Sequence, residues 1–153
     1  TDGLKLAANV AAMLIAFVSI VAMFNYLLHF AGTSLESILG FIFKPLAWTM
    51  GVPWNEASSM GILMGKKIVF TELIAYGDLK SLLSSGEISS RTAIIASYAL
   101  CGFANFGSIG IQLGGIGGMA PNRKKDLASL VTKAMIGGAL ASWLTATIAG
   151  ILI

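Results

Sequence analysis

Long apolar segments separated by short polar stretches make up most of this 153-residue chain. The first apolar segment has its strongly polar side chains near its two ends, as at Lys5 and Asn25. About 20 helical residues are needed to cross the hydrocarbon core of a bilayer. Residues 1–31 are therefore predicted to form a transmembrane helix, and the last apolar stretch, residues 126–153, a second one.

Residues 32–54 show a shorter, amphipathic pattern. Apolar side chains recur there at helical spacing, at Leu35, Ile38, Leu39, Ile42 and Phe43. Thr33 and Glu36 have the spacing of a capping box, and Pro45 and Pro53 are expected to bound the segment because proline lacks the amide hydrogen that a helix needs. The side chains suited to a membrane surface are Lys44, Trp48 and Trp54. We predict an interfacial helix and linker; a loop packed over the bundle is the alternative.

Residues 55–84 are apolar enough for a membrane but are interrupted by charges. Four of these are Lys66, Lys67, Glu72 and Asp78. No uninterrupted span of about 20 apolar residues fits. Two half-length helices that meet near Thr71 and Glu72 explain the pattern better. They predict a re-entrant helical hairpin with its tip buried in protein, where irregular backbone at membrane depth is tolerated.

Residues 90–120 form a second interrupted segment, which is rich in glycine. Its glycines include Gly102, Gly107, Gly110, Gly114, Gly115, Gly117 and Gly118. Glycine at this density weakens a continuous helix. We therefore expect a transmembrane helix broken near Asn105, whose freed backbone groups face a cavity. The run from Gly114 to Gly118 lacks the lysine of a phosphate-binding loop and instead suggests close helix packing or a flexible joint.

Composition supports a membrane setting. Hydrophobic residues make up 56% of the chain and charged residues 11%, compared with about 25% charged in soluble domains. The net charge is +3, but the basic residues are scattered apart from a cluster at Arg123, so nucleic acid is not an expected partner. Basic loops tend to stay in the cytoplasm, which predicts a cytoplasmic Arg123 loop and an extracytoplasmic Ile153. Cys101 is the single cysteine, and no metal site or cofactor is expected.

These patterns predict an all-α polytopic membrane protein. It would contain spanning helices, one re-entrant helical hairpin, one broken helix and an interfacial amphipathic helix. The chain begins at Thr1 without an initiator Met, and we expect it to be part of a longer protein. No nucleophile with an adjacent base is present, so an enzyme is not expected.

Glu72 is the first candidate for a functional site. A charged side chain at membrane depth costs about 2.5–3.5 kcal/mol on insertion scales, so it must be paired, protonated or turned towards water. One interpretation is a structural ion pair with Lys66 or Lys67. The other is that Glu72 accepts hydrogen bonds from a polar solute.

Asn105 and Ser108 are the next candidates, since a helical turn places residues three apart on one face. With Glu72 they would offer a carboxylate, an amide and a hydroxyl, a set that suits a sugar with adjacent hydroxyl groups. For Asn105 an interhelical hydrogen bond is the competing interpretation. Phe103 and Phe106 flank the same position, where packing and contact with a planar ligand ring are both open.

Three stretches of the chain resemble the concentrative nucleoside transporter family. Residues 65–76 read GKKIVFTELIAY, which is similar to the family signature Gly-x-Lys-x-x-x-Asn-Glu-Phe-Val-Ala followed by Tyr, Met or Phe. Residues 99–111 read ALCGFANFGSIGI, and residues 113–123 read LGGIGGMAPNR. Residues 51–54, GVPW, are a weaker fourth match. Together they cover roughly residues 50–150.

The resemblance implies a secondary transporter that binds the ribose of a nucleoside through Glu72, Asn105 and Ser108. Phe103 would lie near the base. Thr71 stands where the signature has Asn, directly before the glutamate, and we include it in the predicted substrate site as the position most relevant to selectivity. Leu73 and Ile74 also replace the family's Phe and Val.

The resemblance also implies partners. These are a nucleoside, the lipid bilayer of the plasma membrane (the inner membrane in a bacterium), two further copies in a homotrimer, and a missing amino-terminal half. That half would supply most base contacts and the sodium or proton site, and transport would proceed by alternating access. The alternatives are a carrier of another small polar solute and a membrane scaffold in which Glu72 pairs with lysine and binds nothing.

Overall fold

The computed structural model describes the backbone of residues 1–153 and every side chain except that of Asp2. All regular elements in this described chain are helical, which confirms the all-α prediction. A single 3₁₀ turn at Pro121–Arg123 precedes the last helix. The helices are α1 (Asp2–His29), α2 (Leu35–Thr49), α3 (Ala57–Val69), α4 (Glu72–Ser84), α5 (Ser90–Leu100), α6 (Phe106–Met119) and α7 (Lys124–Leu152).

Helices α1 and α7 are the two elements long and apolar enough to cross a membrane. They coincide with the spans predicted at residues 1–31 and 126–153. Helix α1 packs mainly on α6, and among its described side chains only Val21 is buried. Most of the apolar surface of α1 is therefore available to lipid or to other protein.

The amino-terminal cap of α2 differs from the predicted capping box. The capping residue is Ser34, whose Oγ accepts the Ser37 amide hydrogen at 3.3 Å, and not Thr33. Glu36 does not fold back on the helix, because its Oε2 accepts a hydrogen bond from Asn25 of α1 at 2.9 Å. The Oδ1 of Asn25 also accepts the amide hydrogen of Leu35 at 2.9 Å. The end of α1 thus supplies part of the cap of α2.

The expected boundary at Pro45 is also wrong, because α2 continues through this residue to Thr49. Proline removes the hydrogen bond to the carbonyl four residues earlier, that of Phe41. Both residues lie on the exposed side of α2, and the opposite side packs tightly on α3. Tertiary packing therefore outweighs the local preference of proline.

The predicted surface residues of this segment lie together in the structure. The indole rings of Trp48 and Trp54 meet edge to face with centroids 6.1 Å apart. The Lys44 ammonium lies 4.7 Å from the centre of the Trp54 ring. Both indoles are more than half exposed, an arrangement that suits a membrane surface.

Helices α2 and α3 approach each other so closely that only glycine fits at their contact. A Cβ atom on Gly65 would lie 2.6 Å from the carbonyl oxygen of Glu36. Gly61, four residues earlier, faces Gly40 of α2 in the same way. Small residues at this spacing are typical of close helix pairs in membranes.

Helices α3 and α4 form a hairpin, with its tip at Phe70 and Thr71. Lys66 of α3 pairs with Asp78 of α4, so the two arms lie side by side. The main apolar core gathers between this hairpin and helices α2, α5 and α7. The re-entrant placement of the hairpin in a membrane stays a prediction.

The glycine-rich segment is interrupted once, between Leu100 of α5 and Phe106 of α6. Gly102 adopts a φ of +103° in this interruption, a conformation that glycine reaches without steric cost. The glycines of α6 itself remain helical. Several of them face α1, and a Cβ on Gly110 would lie 2.8 Å from Cε of Met13. Close packing is therefore the role that the structure gives to this glycine face.

Candidate functional site

The two chain interruptions meet at the predicted site. One is the hairpin tip at Phe70 and Thr71, and the other is residues 101–105 between α5 and α6. Each interruption frees backbone amides at the start of one helix and carbonyls at the end of another. The site is therefore built from helix ends, which need polar partners.

Glu72 and Asn105 are brought together across this meeting point. Glu72 is the first residue of α4, and its Oε2 accepts a hydrogen bond from Nδ2 of Asn105 at 3.4 Å. The other carboxylate oxygen, Oε1, has no hydrogen bond to any side chain that the structure describes. The side chain of Glu72 is half-buried. One of its oxygens is bonded to Asn105, and the other remains available.

Asn105 and Ser108 form the amino-terminal cap of α6. The Oδ1 of Asn105 accepts the Ser108 amide hydrogen at 2.7 Å, and the Ser108 hydroxyl donates to the backbone oxygen of Asn105 at 2.6 Å. The cap assigns the orientation of the Asn105 amide, because its oxygen is used by α6 and its nitrogen must face Glu72. Both side chains are buried, with 3% and 4% of their surface exposed.

Helix dipoles favour a negative charge at this point. Glu72 lies in the first turn of α4 and contacts the first residue before α6. The amino-terminal end of a helix carries a partial positive charge, which stabilises a nearby carboxylate. Two such ends favour a carboxylate here, in addition to the longer-range attraction of the Lys67 ammonium.

Neither lysine forms the ion pair with Glu72 that the structural interpretation requires. Lys66 pairs with Asp78 across the hairpin. Lys67 is fully buried and its Nζ donates to the carbonyl oxygens of Ala99 and Cys101, at 3.0 and 3.2 Å. It also bonds to Oγ of Ser142 in α7 at 2.8 Å.

Sequence reasoning missed this role of Lys67. A lysine followed directly by the apolar run Ile68 to Phe70, inside the most specific motif of the chain, was the available signal. The partners of its ammonium were not visible, since they lie 32 to 75 positions further along the chain.

Phe103 and Thr71 lie at the rim of the site. Phe103 is 74% exposed and makes no ring contact with the described aromatic side chains. It also lines a cavity of about 240 Å³ together with Gln112 and residues of α7. Thr71 precedes α4 as its capping residue, but its side chain makes no capping hydrogen bond. Phe106 instead packs towards α1, with its ring 6.4 Å from that of Phe17.

The assembled groups can bind a solute with hydroxyl groups. The free oxygen of Glu72 can accept hydrogen bonds. The Ser108 hydroxyl donates to the Asn105 carbonyl and accepts the Asn105 amide hydrogen, which leaves one lone pair on its oxygen. No group of three or more His, Cys, Asp or Glu side chains within the described part of the chain is placed to hold a metal ion. The chemistry available here is polar recognition.

A family model described as the Na+ dependent nucleoside transporter C-terminus matches residues 1–150. Among curated relatives, the transporter YutK of Bacillus subtilis is 49% identical over 100% of this chain and 39% of its own length. Human solute carrier family 28 member 3 is 40% identical over 99% of this chain and 25% of its own length.

A solved structure of a CNTnw variant in an intermediate state superposes with a TM-score of 0.89. It is 43% identical, and the match covers 99% of this chain and 40% of that one. The chain thus spans about two-fifths of the bacterial relative and of CNTnw, and a quarter of the human relative. The match extends over the whole hairpin, including its tip, and over the interruption at residues 101–105.

Proposed function

This chain belongs to the family of Na+-dependent, concentrative nucleoside transporters, matching their carboxy-terminal part, and on that premise we propose that it binds the ribose of a nucleoside during cation-coupled import. The family comprises transporters and not enzymes. The membrane setting follows from the family. The nucleoside solute, the ribose contacts, the coupling ion and the residue roles are the proposal.

The observation that carries the proposal is the single hydrogen bond between Glu72 and Asn105. It holds one carboxylate oxygen in place and leaves Oε1 without a partner among the described residues. A ribose presents two adjacent hydroxyl groups, and both are donors that a carboxylate can accept. Ser108 lies one turn into α6 beside Asn105 and would complete the contact with the sugar.

The base would lie against Phe103. Its exposed ring projects from the interruption that also positions Asn105, and stacking on a planar heterocycle would bury much of that ring. The uncommitted hydroxyl of Thr71 would contribute a donor or acceptor at the hairpin tip. These two residues are the proposed determinants of selectivity within this chain.

The proposed setting is a trimer in the plasma membrane. The hairpin enters the bilayer without crossing it, the loop at Arg123 is cytoplasmic, and Ile153 is on the other side. The amino-terminal half of the full protein supplies the sodium or proton site and the remaining base contacts. Transport then proceeds by alternating access at the membrane midplane.

The test is Glu72→Gln in the full-length transporter, with uptake of a ribonucleoside and of its 2′,3′-dideoxy analogue measured in parallel. A hydrogen bond to a charged group contributes about 1.5–3 kcal/mol, so the variant should lose about 10- to 150-fold in uptake efficiency for the ribonucleoside. The dideoxy analogue offers no hydroxyls to Glu72, so its uptake should change much less. The preference of the wild-type protein for ribose should therefore shrink in the variant.

Glu87→Gln is the matched control, since Glu87 is an exposed carboxylate in the turn after α4. It should leave both uptake rates unchanged. Unaltered ribonucleoside uptake by Glu72→Gln would remove the ribose role. Absence of nucleoside uptake by wild-type protein that reaches the membrane would instead favour the two alternatives, a carrier of another small polar solute or a membrane scaffold.

A further inference from the structure

The ammonium group of Lys67 is the most deeply buried charge among the described side chains. None of its residue surface is exposed, and its three bonds go to acceptors outside the hairpin to which it belongs. Two of these acceptors, the carbonyls of Ala99 and Cys101, lie at the end of α5. The third, Oγ of Ser142, belongs to α7.

Hydrogen-bond counting indicates that this group is a charged ammonium. The Ser142 hydroxyl donates its own hydrogen to the backbone oxygen of Ala139 at 3.0 Å, so its oxygen accepts from Lys67. Carbonyl oxygens can only accept. Lys67 therefore donates all three bonds, and only the protonated amine has three hydrogens. The positive charge also compensates the partial negative charge at the carboxy-terminal end of α5.

The hairpin thus contacts both ends of the α5–α6 interruption. On the α5 side, Lys67 binds the last carbonyls before the chain leaves the helix. On the α6 side, Glu72 binds Asn105, which begins the next helix. Cys101 and Asn105 are four residues apart, so the position of one end of this short segment restricts where the other end can lie.

We propose that Lys67 is a positioning residue that fixes residues 101–105, and through them sets Asn105 and Ser108 at the correct distance from Glu72. Lys67 does not touch the solute in this arrangement. The consequence for nucleoside affinity rests on the proposed function, whereas the ordering of residues 101–105 by Lys67 does not depend on it.

The geometry also explains why arginine would not substitute. A planar guanidinium carries its donors in one plane at the end of a longer side chain, whereas the three acceptors belong to two different helices around a compact site. Lys67→Arg should therefore behave like a loss of function and not like a conservative change.

The experiment compares Lys67→Met with Lys66→Met in the full-length protein. The second variant removes the neighbouring lysine, whose half-exposed partner Asp78 lies away from the interruption. Two quantities are measured: KM and maximal rate of nucleoside uptake per transporter, and backbone hydrogen exchange in residues 99–108 without substrate. Lys67→Met should raise KM at least about tenfold, leave the maximal rate within about threefold, and accelerate exchange in residues 99–108. Lys66→Met should leave KM and the exchange of this segment at wild-type values.

Ser142→Ala is the second variant, for the case in which Lys67→Met does not accumulate in the membrane. It removes one of the three acceptors and should raise KM by about threefold with faster exchange confined to the same segment. Wild-type KM and wild-type exchange in either accumulated variant would overturn the proposal. A reduced amount of protein with unchanged KM would also overturn it, because that result indicates a purely structural residue. If wild-type protein does not import nucleosides, the exchange measurement alone decides the role of Lys67.

Discussion

The Nδ2 atom of Asn105 lies 3.4 Å from Oε2 of Glu72, although the two residues are 33 positions apart in the chain. The oxygen of the same amide caps α6 by accepting the Ser108 amide hydrogen. One side chain therefore links the start of a helix to the carboxylate at the hairpin tip. Changes at Asn105 that keep the cap and alter only the nitrogen side isolate its contact with Glu72.

Asn105→Asp is such a change. It keeps an acceptor for the Ser108 amide but places a second carboxylate 3.4 Å from Glu72. Two carboxylates this close repel each other, and protonation of the pair as the pH falls relieves that repulsion. Uptake near pH 7.5 should fall at least about tenfold and should recover, relative to wild type at the same pH, as the pH is lowered. A constant ratio of variant to wild type between pH 5.5 and 8 would contradict the contact.

Gly65→Ala should destabilise the contact between α2 and α3. The added Cβ would lie 2.6 Å from the backbone oxygen of Glu36, which cannot move without shifting α2. Overpacking of this kind costs about 1–3 kcal/mol, so the melting temperature of the purified full-length protein should fall. Gly77→Ala is the control, because that helical glycine has open space around it. Removing a glycine from a helix interior should leave stability equal or slightly higher; a similar loss in both variants would argue against the close contact.

Ser34→Ala tests the observed cap of α2 against the one expected from the sequence. The Ser34 hydroxyl accepts the Ser37 amide hydrogen, and its loss should cost about 0.5–2 kcal/mol of stability. Thr33→Ala should have little effect, since the side chain of Thr33 makes no such bond. Thermal unfolding of the two variants side by side distinguishes the caps. The reverse ranking would restore Thr33 as the capping residue.

The lowered pKa of Glu56 predicts that the protein loses stability at acid pH. Desolvation raises the pKa of its carboxyl, but hydrogen bonds from Thr92 and Ser89 together outweigh this effect and hold the pKa below its ordinary value of 4.5. A carboxyl with a lowered folded-state pKa stabilises the fold above its unfolded-state pKa, and this stability is lost as the pH falls through the folded-state value. The melting temperature should therefore drop below about pH 4.5. Glu56→Gln should reduce the size of that drop, and an identical pH profile in the variant would exclude Glu56 as its source.

The sequence predicted the helical segments better than their caps. Apolar runs of spanning length and the charges within residues 55–84 sufficed to place two long helices and an interruption near Glu72. The predicted cap of α2 was wrong because Ser34, and not Thr33, caps the helix, and because Glu36 bonds to Asn25 of another helix. The helix boundary predicted at Pro45 was wrong because packing on α3 stabilises α2 through this residue, although proline locally disfavours a helix.

For the candidate site, too, the sequence predicted the residues but not their partners. Residue type and spacing alone singled out Glu72, Asn105 and Ser108. A carboxylate in an apolar segment and polar residues beside glycines cost free energy unless they bind a partner or a solute. Their roles as substrate contacts stay predictions. The choice between an ion pair and a free carboxylate was beyond the sequence, since Lys66 and Lys67 are both close to Glu72 in the chain and the sequence does not show where their side chains point.

By itself the sequence determined the helical class, the family and the positions of the two interruptions, because these depend on apolar periodicity and on motifs of consecutive residues. Only the tertiary structure decided that Lys66 turns to Asp78, that Lys67 caps α5, and that Glu72 therefore meets Asn105 instead of a lysine. The physical reason is that the direction of a buried polar side chain is set by whichever partner lies within hydrogen-bonding distance. Here that partner comes from another helix, at a sequence separation that local patterns do not encode.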